Sequence, residues 1–182
     1  MKILFVCTGN TCRSVMAEGI LKDILKKKGM AGDFEVRSAG LFAQDGEPPT
    51  IETQFALEKG GVSFEEKGAT YLEDDVLEGM DLILTMTEGH KIMIEDRKEK
   101  GYYDGRLFTL KEYTRDCKGH PGAAGLRDET ENMDTEDMNT DEREEALDIS
   151  DPYGRSMEVY QQTFREIFEE IEVLVQKILE KC

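Results

Sequence analysis

A thiol, a guanidinium and a run of small polar residues stand side by side in Cys7-Thr8-Gly9-Asn10-Thr11-Cys12-Arg13-Ser14. Residues of these types can grip a phosphate and attack it. Arg13 offers a planar fork that matches two phosphate oxygens. Gly9 and Asn10 both tolerate left-handed backbone, which lets successive N–H groups converge on an anion. Cys7 would place its sulfur in the same positive cradle, where the thiolate, the nucleophilic form, is favoured. The bland alternative, two core cysteines in a tight turn, leaves Gly9, Asn10 and Arg13 without a purpose.

The flanking residues must hold this loop in place. Met1 to Val6 is nearly continuous apolar sequence with β-branched and aromatic members, the pattern of a strand buried on both faces. After Met16 the apolar residues Ala17, Ile20, Leu21, Ile24 and Leu25 form one helical face. The loop therefore ends at a helix N-terminus, whose unpaired N–H groups and positive dipole end attract an anion.

With its Gly-Asn pair, preceding strand and following helix, the Cys-x5-Arg-Ser spacing resembles the signature of the low-molecular-weight protein phosphatases. Ser38-Ala39-Gly40, Met86 to His90, Phe108 to Tyr113 and Asp151-Pro152-Tyr153-Gly154 continue the resemblance in family order. It implies a cysteinyl-phosphate mechanism with Cys7 as nucleophile and Thr8, Gly9, Asn10, Thr11, Cys12, Arg13 and Ser14 around the phosphate. Ser14 is expected to donate to the Cys7 sulfur, Asn10 to hold the strained loop and Ser38 to partner Asn10. Asp151 is implied as the acid that protonates the leaving group and then the base toward water, with Tyr153 in support; Pro152 restrains its position. A positioned acid of this kind contributes about 10²–10⁴-fold. Arg13 and backbone dipoles neutralise the charge, so neither metal nor cofactor is expected. His90 and His120 form no ligand cluster and read as ordinary polar residues.

Three positions depart from the family pattern. Val15 stands where proline is common after the loop serine. A histidine that often supports the Asn10 network is missing from Ser63 to Gly68, with Glu66 at the matching position. Tyr153 is followed by Gly154, so the tandem tyrosine of many eukaryotic members is absent. Substrate choice turns on Thr11. Members acting on phosphotyrosine usually carry isoleucine there, whereas those resembling protein arginine phosphatases carry threonine, whose hydroxyl can bond a guanidinium. Phosphoarginine is favoured and phosphotyrosine is the alternative. An arsenate reductase would need further paired cysteines, and a non-catalytic phospho-residue binding module would lack Cys7 or Asp151.

Composition sets the outer bounds. The 182 residues suit a single domain with its own core. With 23 basic against 40 acidic residues the formal net charge is −17, which argues against nucleic acid or an anionic membrane as partner. No stretch approaches the roughly 20 apolar residues of a membrane span, and the first residues enter a strand without a signal-peptide pattern, so the cytoplasm is expected. Cys7, Cys12, Cys117 and Cys182 match neither a disulfide scaffold nor a zinc site. Cys12 reads equally as a reversible disulfide partner for Cys7 or as a small buried residue, and Cys117 and Cys182 as incidental.

The remaining pattern alternates strand and helix, predicting a parallel sheet covered on both faces; the family supplies a three-layer αβα architecture with four strands in the order 2-1-3-4. A helix closes at Lys26-Lys27-Lys28-Gly29. Strands are predicted at Phe34 to Ser38, Met80 to Met86 and Leu107 to Leu110. Helices are predicted at Thr50 to Lys59, Glu73 to Glu78 and from Thr87 to about Lys100. From Arg115 to Ser150 an acidic surface insertion is expected. A final helix carries Tyr160, Phe164, Ile167, Phe168, Ile171, Leu174, Val175 and Ile178 on its core face.

Overall fold

The computed structural model describes residues 1–99, 102–115 and 147–180. Its centre is β1 (Lys2–Cys7), which pairs in parallel with β2 (Glu35–Gly40) on one side and β3 (Leu82–Thr85) on the other. With β4 (Leu107–Thr109) beside β3, the sheet order is β2-β1-β3-β4, as the resemblance implied. Successive side chains of β1 point to opposite faces. Ile3, Phe5 and Cys7 enter a core shared with α1 (Arg13–Lys27), α2 (Ile51–Lys59) and α6 (Met157–Glu180). Leu4 and Val6 enter a second core with Leu77 of α3 (Asp74–Leu77) and Ile94 of α4 (Glu88–Glu95). Helices thus cover both faces, which explains why β1 reads as continuous apolar sequence.

The final helix buries the predicted stripe, with Phe168 only partly covered. Thr50 and Thr87 cap α2 and α4 by accepting from the Thr53 and His90 N–H groups. Elsewhere the boundaries move. β2 extends beyond Ser38 because Gly40 still pairs with Cys7. α4 stops at Glu95 rather than near Lys100, its last turn tightening through Arg97 N–H donating to the Ile94 carbonyl.

The predicted strand through Leu110 conceals a short helix, α5 (Leu110–Arg115). Thr109 and Glu112 start it as a capping box: each side chain accepts the other's backbone N–H, at 3.0 and 3.1 Å. The surface insertion also ends earlier than expected. Ile149 is buried and donates its N–H to the Met86 carbonyl, while the Asp148 carboxylate accepts from Glu88 N–H at the start of α4. Residues 116–146, with Cys117, His120 and most of the acidic stretch, lie outside the described residues, as does Cys182.

Candidate active site

Cys7 ends β1 next to the point where the strand order reverses, the usual ligand crevice of an open parallel sheet. Asn10 is the one non-glycine residue with positive φ among the described residues, at 54°. Gly9, expected to share that conformation, does not adopt it. The turn at Asn10 carries its N–H back to the Cys7 sulfur at 3.2 Å. Helix α1 starts at Arg13 with no side-chain cap and no acid in its first turn, which leaves its terminal N–H groups facing the loop.

The end of β2 closes tightly over this loop. A Cβ on Gly40 would meet the Thr8 carbonyl oxygen at 2.7 Å, the Asn10 nitrogen at 2.8 Å and the Ala43 Cβ at 2.9 Å. Backbone atoms cannot swing aside as a side chain can. Gly40→Ala is therefore expected to cost about 1–3 kcal/mol of stability and to raise the Ki for inorganic phosphate. Thermal melts and inhibition kinetics would check this, and an unchanged melt with unchanged Ki would refute it.

Behind the loop runs a hydrogen-bond chain whose direction is set at one end by a backbone donor. The Asn10 Oδ1 accepts from Thr70 N–H at 2.8 Å, so its Nδ2 must donate, to Ser14 Oγ at 2.9 Å and Ser38 Oγ at 2.8 Å. Ser38 passes its own proton to the Glu18 carboxylate at 2.5 Å, which Lys22 pairs from the other side. Ser14 is left with a proton for the Cys7 sulfur, 3.0 Å away. A donated proton there stabilises a thiolate. Glu66 does not fill the place of the missing histidine: it is exposed, and the buried Glu18 ends the chain instead. The signal was an acid within the apolar face of α1, beside Ala17, Ile20 and Leu21.

Arg13 is buried and anchored twice. Its Nη1 donates to the Ile149 carbonyl at 3.1 Å, and its Nη2 meets the Asp151 carboxylate at 2.7 Å. The second Asp151 oxygen accepts from Tyr153 N–H at 3.1 Å across Pro152, a local turn that fixes the carboxylate's direction. Nη2 also makes a longer contact of 3.5 Å to Thr8 Oγ1, which lies 2.9 Å from His90 Nε2. His90, read from the sequence as an ordinary polar residue, is buried, and its Nδ1 lies 2.8 Å from Thr87 Oγ1. Burial, and then the Arg13 charge, hold its pKa down at about 4, so the ring is neutral near pH 7.

Cys7, Thr8, Gly9, Thr11, Cys12, Arg13, Asp151 and Tyr153 line one cleft of about 250 Å³, joined by Phe42 and Glu47. Asn10, Ser14 and Ser38 stand behind it. Both loop thiols are free, and Cys12 Sγ lies 3.5 Å from the Tyr160 hydroxyl, whose pKa burial raises. Sequence reasoning missed Glu18, Thr70, His90, Phe42 and Glu47. No group of three or more metal-ligating side chains occurs among the described residues, nor any helix long and apolar enough to cross a membrane.

Residues 2–138 match the family model described as low molecular weight phosphotyrosine protein phosphatase. The chain belongs to the low-molecular-weight protein phosphatase family. Membership makes it a protein phosphatase, a hydrolase. This phosphatase is similar to the protein-arginine-phosphatase of Bacillus subtilis strain 168, 33% identical over 178 residues that cover 98% of this chain and 97% of that one. It is similar as well to the low molecular weight protein-tyrosine-phosphatase PtpB of Staphylococcus epidermidis, 32% identical with 98% and 96% covered. A solved structure of the YwlE arginine phosphatase, a cysteine-to-serine mutant with a phosphorylated active-site serine, superposes with a TM-score of 0.73. It is 32% identical, with 98% of this phosphatase and 95% of that chain covered. Asp151 lies beyond the span matched by the family model, so its place in the site rests on its contact with Arg13.

Proposed function

We propose that this phosphatase hydrolyses phosphorylated protein side chains through a cysteinyl-phosphate intermediate, with phosphoarginine as the favoured substrate. The observation that carries the reading is the Cys7 sulfur receiving hydrogen bonds from Asn10 N–H and Ser14, in one cleft with Arg13 and Asp151. A substrate phosphoryl group displaces Asp151 from Arg13 and takes the loop N–H groups. The displaced carboxyl, carrying a proton, is then placed to act as the acid. Cys7 attacks phosphorus, the S–P bond forms, and the P–N or P–O bond breaks as Asp151 hands its proton to the leaving group. Asp151 next accepts a proton from water, whose oxygen attacks phosphorus and releases Cys7 and inorganic phosphate. Arg13 and the N–H cradle carry the phosphoryl charge throughout.

Thr11 supports the choice of phosphoarginine. Its carbonyl is held by Thr50 N–H and the Thr53 hydroxyl, fixing the residue at the cleft wall. Among the described residues its own hydroxyl makes a single weak contact, 3.7 Å to the Cys12 sulfur, which leaves the oxygen a lone pair for a guanidinium N–H. Glu47 adds an acidic group to the same cleft, which suits a cationic substrate. Phosphotyrosine is the second reading, favoured by the exposed rings of Phe42 and Tyr153, which can flank an aryl group.

Phosphate release from matched phosphoarginine and phosphotyrosine peptides tests the choice. The wild type is expected to prefer phosphoarginine, and Thr11→Ile to shift the kcat/KM ratio at least about tenfold toward phosphotyrosine. Equal or better wild-type turnover of the phosphotyrosine peptide would leave a tyrosine phosphatase.

A further inference from the structure

We propose that His90 is a positioning residue for the phosphate-gripping arginine, acting through the Thr8 hydroxyl. The inference rests on the cleft being a phosphate site. His90 sits in the first turn of α4, beyond the loop, and the crossover from β3 brings it beneath Thr8. Its two ring nitrogens are both engaged, with Thr8 Oγ1 at 2.9 Å and Thr87 Oγ1 at 2.8 Å. Thr87 is itself fixed, since its hydroxyl oxygen caps α4 by accepting His90 N–H at 3.2 Å. The ring is thereby clamped between a helix cap and the catalytic loop.

The consequence falls on Thr8. A threonine hydroxyl has one proton and two lone pairs, and it rotates to suit its neighbours. Arg13 can only donate, so it needs a lone pair from Thr8. The neutral imidazole takes either the proton or the other lone pair, according to tautomer. Where Nε2 accepts, His90 takes the Thr8 proton and stops the rotor with a lone pair toward Arg13 Nη2, 3.5 Å away; where Nε2 donates, it takes one lone pair and leaves the other for Arg13. Asp151 also holds Nη2, at 2.7 Å. Once a phosphate displaces Asp151, Thr8 and the Ile149 carbonyl are the anchors that keep the guanidinium aimed. His90 touches no reacting atom in this arrangement; it sets the aim of one that does.

Two substitutions separate this role from plain packing. The amide of His90→Gln reaches the position of Nε2 and can keep the bond to Thr8, whereas His90→Asn reaches only as far as Nδ1 and loses it. Inorganic phosphate is the probe, its affinity measured by titration calorimetry and as a competitive Ki, alongside thermal melting. His90→Asn is expected to weaken phosphate roughly tenfold, the scale of one hydrogen bond to a charged group, with His90→Gln restoring most of the loss. Thr8→Val is expected to cost as much, and the pair Thr8→Val with His90→Asn no more than either alone, because both remove one interaction. Losses that multiply, equal losses in the Asn and Gln variants, unchanged affinity in His90→Asn, or losses that follow the melting temperature alone would each overturn the proposal. A wild type that binds phosphate without turning over phosphopeptides would count against the proposed reaction, while the calorimetric comparison would still decide the role of His90.

Discussion

Cys7→Ser is expected to remove turnover of every phosphorylated substrate, by about 10⁶-fold, the scale on which a hydrolase suffers when its nucleophile is lost. The oxygen of serine keeps the place of the sulfur but not its readiness to ionise, and the hydrogen bonds from Asn10 N–H and Ser14 cannot make up that difference. Phosphate binding should survive and even tighten. Arg13 and the loop N–H groups are untouched, and the bulky sulfur that crowds an incoming phosphate is replaced by a smaller oxygen. Calorimetry with inorganic phosphate would show this while steady-state assays show no product. Intact-mass analysis after long incubation with phosphoarginine peptide is expected to reveal slow phosphorylation of the serine, because an oxygen ester leaves far less readily than a thiolate in the second step. Substantial turnover in Cys7→Ser with no phosphorylated serine detected would mean that Asp151 activates water directly and that no covalent intermediate forms.

The parts of this site that the sequence made legible are those built from neighbours in the chain. Cys7 to Ser14 forms one loop, and its strand and helix follow from the apolar patterns on either side, so the nucleophile, the arginine and the cradle could be read together. The capping box at Thr109 and Glu112 was equally local, but it lay against a strand end and the apolar Leu110 drew the strand prediction across it. Glu18 and His90 were hidden for a different reason. A buried acid on α1 and a histidine in the first turn of α4 acquire their meaning only when β2 brings Ser38 to one and β1 brings Thr8 to the other. Parallel strand order decides those meetings, and strand order came from the family resemblance rather than from periodicity. Glu66 illustrates the converse: correspondence along the chain placed it in the Asn10 network, while Glu18, on the buried face of the neighbouring helix, supplies the carboxylate.

Asp151→Asn should separate binding from chemistry. The carboxylate now spends its charge on Arg13 at 2.7 Å, a contact that any substrate phosphate must displace. An asparagine keeps the shape and can still accept from Tyr153 N–H, but it offers Arg13 no charge, so phosphate is expected to bind more tightly. Turnover moves the other way. Loss of a positioned acid costs about 10²–10⁴-fold, and the cost should depend on the leaving group. Guanidine and tyrosinate leave poorly without a proton and should show the full loss. p-Nitrophenolate needs little help, so its departure should be nearly spared and a burst of product should appear as the cysteinyl-phosphate waits for a base to activate water. Rapid-quench measurement of that burst, with kcat/KM compared across the three leaving groups, is the check. A uniform loss across all three would show that Asp151 serves the site by holding Arg13 rather than by moving protons.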